Sequence, residues 1–177
     1  MPDAQFHLGM GSGIEAGIAK LKNSGLTLNS AQMRPRSRGS VRLKDSNPIS
    51  HPLIDPNYWA DPYDRDICIR ALKLSREILR QEALKDFILA ERFPGPDCAS
   101  DQQLFDYACG MAKTQHHPGG TCAMGYGDNA VVDATLKVHG LEGLRVVDAS
   151  IMPQVVSSNT NAATIMIAEK AADLILQ

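Results

Sequence analysis

His116-His117-Pro118-Gly119-Gly120-Thr121-Cys122-Ala123-Met124-Gly125 opens the last third of this 177-residue chain. Proline disfavours the α region for the residue before it, so His117 is expected in β or polyproline geometry. Adjacent extended residues point to opposite faces, so His116 and His117 are not expected to share one site. The Gly119-Gly120 pair lets backbone come close to a flat ligand. Histidine, with an unperturbed pKa of roughly 6.5, is the natural base for a hydroxyl proton at neutral pH. Two other readings stand beside that one. Both histidines could be structural, bonded to nearby backbone. Cys122 with His116, His117 and His139 also supplies zinc-type ligands, but HHxxxxC followed by 16 residues before His139 fits no usual zinc spacing, so no metal is expected.

Two later stretches extend the pattern. Leu144-Arg145-Val146-Val147-Asp148-Ala149-Ser150 reads as an apolar strand ending in an acid. In open parallel sheets ligands lie beyond the carboxyl ends of strands, although Asp148 serves equally well as a solvated cap. Ser158-Asn159-Thr160-Asn161-Ala162-Ala163-Thr164 then holds three cap-type residues before an apolar segment. One of Asn159, Thr160 and Asn161 is expected to cap a helix whose start carries a positive potential.

In this order the three stretches resemble the C-terminal portion of the glucose-methanol-choline (GMC) oxidoreductases, most of all the choline dehydrogenase and aliphatic alcohol dehydrogenase branch. The resemblance runs from about residue 34 to residue 177 and is densest after His117. It implies FAD-dependent oxidation of a CH–OH group, choline-like or a primary aliphatic alcohol, with hydride passing to the flavin. His117 aligns with the family's catalytic base, whereas His116 stands where the family tolerates several residues. A second catalytic residue, His or Asn, lies eleven positions beyond the acid of the VVDAS-type strand, and that count from Asp148 reaches Asn159. Its implied role is a hydrogen bond to the substrate oxygen. Asparagine cannot act as a base, so His117 would remove the proton alone. The resemblance also puts Asp148 and Ala149 close to FAD, and Asn161 and Ala162 near the pyrimidine edge of the flavin. A helix start aimed at that edge favours the negative charge of the reduced flavin. The dehydrogenase-like branch implies an electron acceptor other than oxygen by preference.

A complete enzyme of this kind also needs a strand, GxGxxG and a helix, with an acid about 20 residues later. Gly11-Ser12-Gly13-Ile14-Glu15-Ala16 fits GxGxxA, but the stretch before it is short and polar and no acid falls near position 33, so it reads as a decoy in a flexible loop. In the family this region belongs to the substrate domain, with residues 2–7 and 34–39 resembling strands. The chain therefore reads as about the last third of a longer protein. Its FAD site is incomplete, a missing N-terminal flavin-binding half is its implied partner, and the isolated chain is expected to be inactive. The competing reading is a non-catalytic remnant or interaction domain that keeps the fold without FAD. A hydrolase is disfavoured, since Ser12 between glycines has no strand to place it on an elbow.

Composition agrees with an ordinary globular protein: 44% hydrophobic, 21% charged, net charge −2. That balance offers no electrostatic case for nucleic acid. The basic residues Arg34, Arg36, Arg38, Arg42 and Lys44 read as the wet face of a strand. No 18-residue apolar run and no signal peptide are visible, and Cys68, Cys98, Cys109 and Cys122 show no CxxC spacing. A cytoplasmic protein with reduced thiols is expected, with peripheral membrane contact left open.

The expected fold class is α+β. A partial antiparallel substrate-domain sheet, with strands near 5–8 and 31–44, is covered by helices at 62–80, 84–92 and 101–113. A Pro-punctuated loop at 45–63 buries Leu53, Ile54, Tyr58 and Trp59. Asp61 with Pro62 marks one helix start, with Asp64 and Asp66 facing its positive end. Ser100 with Gln103 marks another. Short strands follow around 131–132, 136–138 and 144–147. A final helix over 160–176 turns Ile165, Ala168, Ala172 and Ile175 inward. The domain division is drawn at 126/127: 1–126 as a substrate-binding portion, 127–177 as a strand-turn-helix returning to an FAD-binding domain. Trp59, Tyr58 and Tyr63 are candidates by type alone for a quaternary ammonium.

Overall fold

The computed structural model describes residues 2–10 and 24–177, so the glycine-rich Gly11–Ala16 match lies outside the described residues. Among those described, four short strands form two antiparallel pairs beside three α-helices, the mixed architecture expected. The residues pack as two compact units. One takes the described part of Met1–Arg38 with Tyr58–Gln115; the other takes Gly39–Asn57 with His116–Gln177. These are units of packing, and they divide at 115/116 rather than at the 126/127 line drawn for parentage in a longer protein.

In the first unit β1 (Ala4–Met10) pairs with β2 (Leu26–Gln32) over a full register from Ala4↔Gln32 to Met10↔Leu26. β1 extends the expected strand at 5–8, whereas β2 lies mostly before the strand expected at 31–44 and overlaps it only at Ala31 and Gln32. α1 (Pro62–Leu79) starts where Asp61 and Pro62 indicate, with the Asp61 carboxylate accepting from the Tyr63 N–H at 2.8 Å. Its buried face is Asp64, Ile67, Ala71 and Ser75. Asp64 lies in the first turn as expected, and its carboxylate is buried there. It is 1% exposed and accepts from Gln32 Nε2 at 2.6 Å, the Arg36 N–H at 2.9 Å and the Ser37 N–H at 2.6 Å.

This clamp explains why 33–39 is not a strand. The N–H groups a ladder would need are turned onto one carboxylate, and Arg36 lies with its guanidinium 3.9 Å from the centre of the Tyr63 ring. Burial pushes the Asp64 carboxyl up, but the donors from Arg36, Ser37 and Gln32 outweigh it, and the net pKa lies below the ordinary value.

α2 (Asp101–Met111) opens on the expected capping box, Ser100 accepting from the Gln103 N–H and Gln103 from the Ser100 N–H. Leu104 and Ala108 bury its inner face, and Trp59 meets Phe105 edge-on at 5.6 Å. The helix expected at 84–92 does not form; only a 3-10 turn at Glu82–Leu84 is present. Phe87 and Leu89 are exposed, so no packing offsets the cost of nucleating a short helix. Glu91 is instead drawn to Arg76 at 2.8 Å.

In the second unit β3 (Ser40–Arg42) pairs with β4 (Leu53–Asp55). Val41, Leu43, Leu53 and Ile54 are exposed, and so is Tyr58 of the first unit; of the residues this loop was expected to bury, only Trp59 is half-buried. The core is Val132, Leu136, Ile151 and Ala171. The strands expected around 131–147 are reduced to single bridges, Val132↔Val138 and Lys137↔Arg145. Leu136 at φ +67° and the turns at Gly140 and Gly143 interrupt any longer ladder. α3 (Asn161–Leu176) forms as expected but turns a different stripe inward: Ile167, Ala171 and Leu174 pack on the core, while Ile165 and Ile175 are exposed. Its sequence is apolar on most sides, so periodicity could not choose the face. No helix among the described residues is long and apolar enough to cross a membrane.

The Asp64 clamp gives a stability prediction. Replacing Asp64 with Ala should lower unfolding stability at pH 7 by about 2–3 kcal/mol. Because the native pKa is lowered, this contribution is present above the ordinary carboxylate range and is lost as pH falls through the native value. Urea midpoints of the two proteins should converge on acidification; equal midpoints at pH 7 would remove Asp64 as a clamp.

Candidate active site

Within the second unit the imidazole of His117 is half-buried between two residues at the start of α3. Its Nδ1 lies 3.0 Å from Thr160 Oγ1, and the Thr160 backbone N–H points at the same nitrogen from 3.4 Å. Its Nε2 lies 2.6 Å from Asn159 Nδ2. The two groups named from sequence as a candidate pair, 42 residues apart, thus converge. His116 is not the extended neighbour expected. It adopts φ +61°, the left-handed region that a non-glycine residue rarely occupies, so simple strand alternation does not describe the pair.

Backbone packing holds His117 in place. A Cβ on Gly119 would lie 2.9 Å from the Ala149 carbonyl oxygen, and Gly120 sits at φ +90°. Past the turn, the Cys122 N–H donates to Ser150 O at 2.9 Å and the Met124 N–H to Ile151 O at 2.8 Å. The glycine pair's closest approach is therefore to this chain's own backbone. His139 donates from Nε2–H to Gly125 O at 2.9 Å. Among the described residues no three His, Cys, Asp or Glu side chains gather as a metal site.

Asp148 caps the 3-10 turn Ala149–Ile151, its carboxylate accepting from the Ser150 N–H at 2.7 Å. The strand expected to end in this acid is not formed, and its carboxylate makes a local cap. Ala149 is half-buried; Asn161 and Ala162 form the exposed first turn of α3. Asp148, Ala149, Asn161 and Ala162 therefore border the same two turns that carry His117 and Asn159. Of the three cap-type residues it is Thr160, 7% exposed, that occupies the cap position, yet it makes no side-chain cap bond. Sequence reasoning gave Thr160 only a capping role. Its hydroxyl is at the histidine instead.

The model of the GMC oxidoreductase C-terminal region matches residues 35–168. The chain belongs to the GMC oxidoreductase family. It is 45% identical over 174 residues to an oxygen-dependent choline dehydrogenase of Escherichia coli O45:K1, covering 98% of this chain and 31% of that protein. Pyridoxine 4-oxidase from Mesorbium loti superposes with a TM-score of 0.90 at 35% identity, covering 97% of this chain and 34% of the oxidase. An Aspergillus oryzae RIB40 formate oxidase, R554A variant, described by its effect on FAD modification, gives 0.82 at 30% identity, covering 90% of this chain and 28% of that one. The chain thus spans about a third of the length of the curated relatives it matches.

The contact of Gly119 with Ala149 yields a test. Gly119→Ala forces a Cβ against a carbonyl oxygen held by two flanking hydrogen bonds, so the turn must shift. We expect a loss of about 1–3 kcal/mol in thermal unfolding, together with altered His117 ring resonances. A variant with wild-type stability and an unchanged ring spectrum would show that the turn carries no such constraint.

Proposed function

We propose that this chain supplies the substrate-side half of an FAD-dependent alcohol oxidation, acting on a choline-like or primary aliphatic alcohol. The observation that carries the reading is the meeting of His117 Nε2 and the Asn159 amide at 2.6 Å beside an exposed helix start. In this reading 1–126 is the substrate-binding portion, 127–177 the segment returning to an FAD-binding domain, and the flavin-binding region of a longer protein is the partner.

The residues present fit a flavin. The first turn of α3 has no side-chain cap and its Asn161 and Ala162 are exposed, which leaves N–H donors and a positive dipole end open to an anionic edge. Asn161 and Ala162 would hold the pyrimidine side, with Asp148 and Ala149 near the cofactor on the adjoining turn. When bound, FAD supplies the hydride acceptor. Everything else falls to this chain. His117 takes the hydroxyl proton at Nε2, and Asn159 donates its amide hydrogen to the substrate oxygen. An oxygen cannot enter between groups 2.6 Å apart, so the Asn159 amide must turn from Nε2 towards the substrate as it binds. An amide cannot act as a base, so in this pair proton removal falls to His117.

The choice of a choline-like substrate is supported by the name of the 45% identical relative. That name is also oxygen-dependent, which weighs against a reading in which oxygen is avoided as acceptor. Of the three aromatic candidates, Tyr63 has Arg36 over its ring and Trp59 packs edge-on against Phe105, while Tyr58 is exposed.

The test is a chimera in which this chain replaces the matching segment of the Escherichia coli choline dehydrogenase. It should reduce dye in the presence of alcohol, and His117→Ala should lower turnover about 10²–10⁴-fold while flavin stays bound. Unchanged turnover would remove the base assignment. Flavin binding without alcohol-dependent turnover in the parent chimera would favour the non-catalytic reading.

A further inference from the structure

Thr160 spends its hydroxyl in an unusual way. A threonine at a helix cap ordinarily accepts a hydrogen bond from an N–H one turn into the helix, which contributes about 0.5–2 kcal/mol. Here no such bond exists, and Oγ1 is 3.0 Å from His117 Nδ1 instead. Thr160 is itself buried, its carbonyl is taken up by the Thr164 N–H at 2.9 Å and the Thr164 hydroxyl at 2.9 Å, and α3 fixes its backbone. A hydroxyl both donates and accepts, so at Nδ1 it serves as the acceptor once the group at Nε2 has claimed the lone pair there.

We propose that Thr160 is a positioning residue that fixes His117 in the Nδ1–H tautomer and so keeps the lone pair on Nε2. A neutral imidazole has one donor and one acceptor nitrogen. The amide group facing Nε2 is Asn159 Nδ2, a donor, at 2.6 Å, and a donor there requires the lone pair there. The proton then sits on Nδ1, where Thr160 Oγ1 accepts it at 3.0 Å, inside the normal range. One contact weighs the other way: the Thr160 N–H also points at Nδ1. At 3.4 Å it lies beyond the usual N–H distance and loses to the two shorter bonds.

The consequence deepens the proposed function and rests on it, since a base acting at Nε2 needs that lone pair. The tautomer itself does not depend on catalysis. Thr160 acts through His117 and touches no substrate in this scheme.

The test uses the ¹⁵N-labelled chain and reads the two ring nitrogens of His117 directly. Spectra are taken well above the histidine titration range, at about pH 9, and assigned by comparison with His117→Gln. The expected result is a protonated Nδ1 and an unprotonated Nε2. Thr160→Val, which keeps the shape and removes the hydroxyl, should shift the tautomer ratio about fivefold towards Nε2–H, as loss of one neutral hydrogen bond implies. Thr160→Ser should restore the native ratio. A native chain with the proton on Nε2, or a Thr160→Val spectrum identical to wild type, overturns the proposal. If Thr160→Val fails to fold, the native and Thr160→Ser spectra still decide. A chimera inactive despite the expected ring spectrum would sink the alcohol-oxidation reading and leave the Thr160 assignment standing.

Discussion

The short backbone ladder between 122–124 and 150–151 is the constraint on which the second unit depends. Its two hydrogen bonds, from Cys122 N to Ser150 O and from Met124 N to Ile151 O, tie the segment after His117 to the turn after Asp148. Gly119 permits the approach, because any side chain would strike the Ala149 carbonyl. Ile151 then enters the core with Val132, Leu136 and Ala171, and Ala171 is the one fully buried residue of α3. The histidine and the helix start are thus both fastened to the same turn. Their meeting at His117, Asn159 and Thr160 follows from backbone packing before any side-chain hydrogen bond is counted.

That order matters energetically. A single neutral side-chain hydrogen bond contributes only about 1 kcal/mol net. Fixing two loop side chains by such bonds alone would leave them mobile against the entropy of their rotamers. Here the backbone carries the positioning and the side chains choose protonation and orientation. Thr160 shows the separation of tasks. The helix keeps its cap position and gives up the cap bond, and the hydroxyl so released goes to the imidazole.

What the sequence made legible was local. Asp61 with Pro62, and Ser100 with Gln103, each satisfy orphan N–H groups within one turn, so residue type and spacing suffice to mark those helix starts. The order of His117, Asp148 and Asn159 was legible through family resemblance, and the structure brings the first and last together. What was hidden depends on distant partners. Asp64 reads as a first-turn acid until β2 brings Gln32 and the following turn brings the Arg36 and Ser37 amides onto it. The segment 84–92 has helical pattern but no surface to bury Phe87 or Leu89 against. The 131–147 strands have the right residue types, yet Leu136 at positive φ breaks them.

The same division accounts for the error in α3 and for the late appearance of Thr160. A helix that is apolar on most sides gives several equally good stripes, and the choice among them is made by the turn at 149–152. Once Ala171 is committed to Ile151 and Val132, the rotation of the helix is fixed, and with it the direction in which residue 160 points. A one-residue change of stripe turns a helix by about 100°, which would carry the Thr160 hydroxyl away from the ring. The core contact ten positions and more along the helix therefore governs the chemistry at its first residue. No cap preference read from Asn159, Thr160 and Asn161 alone contains that information.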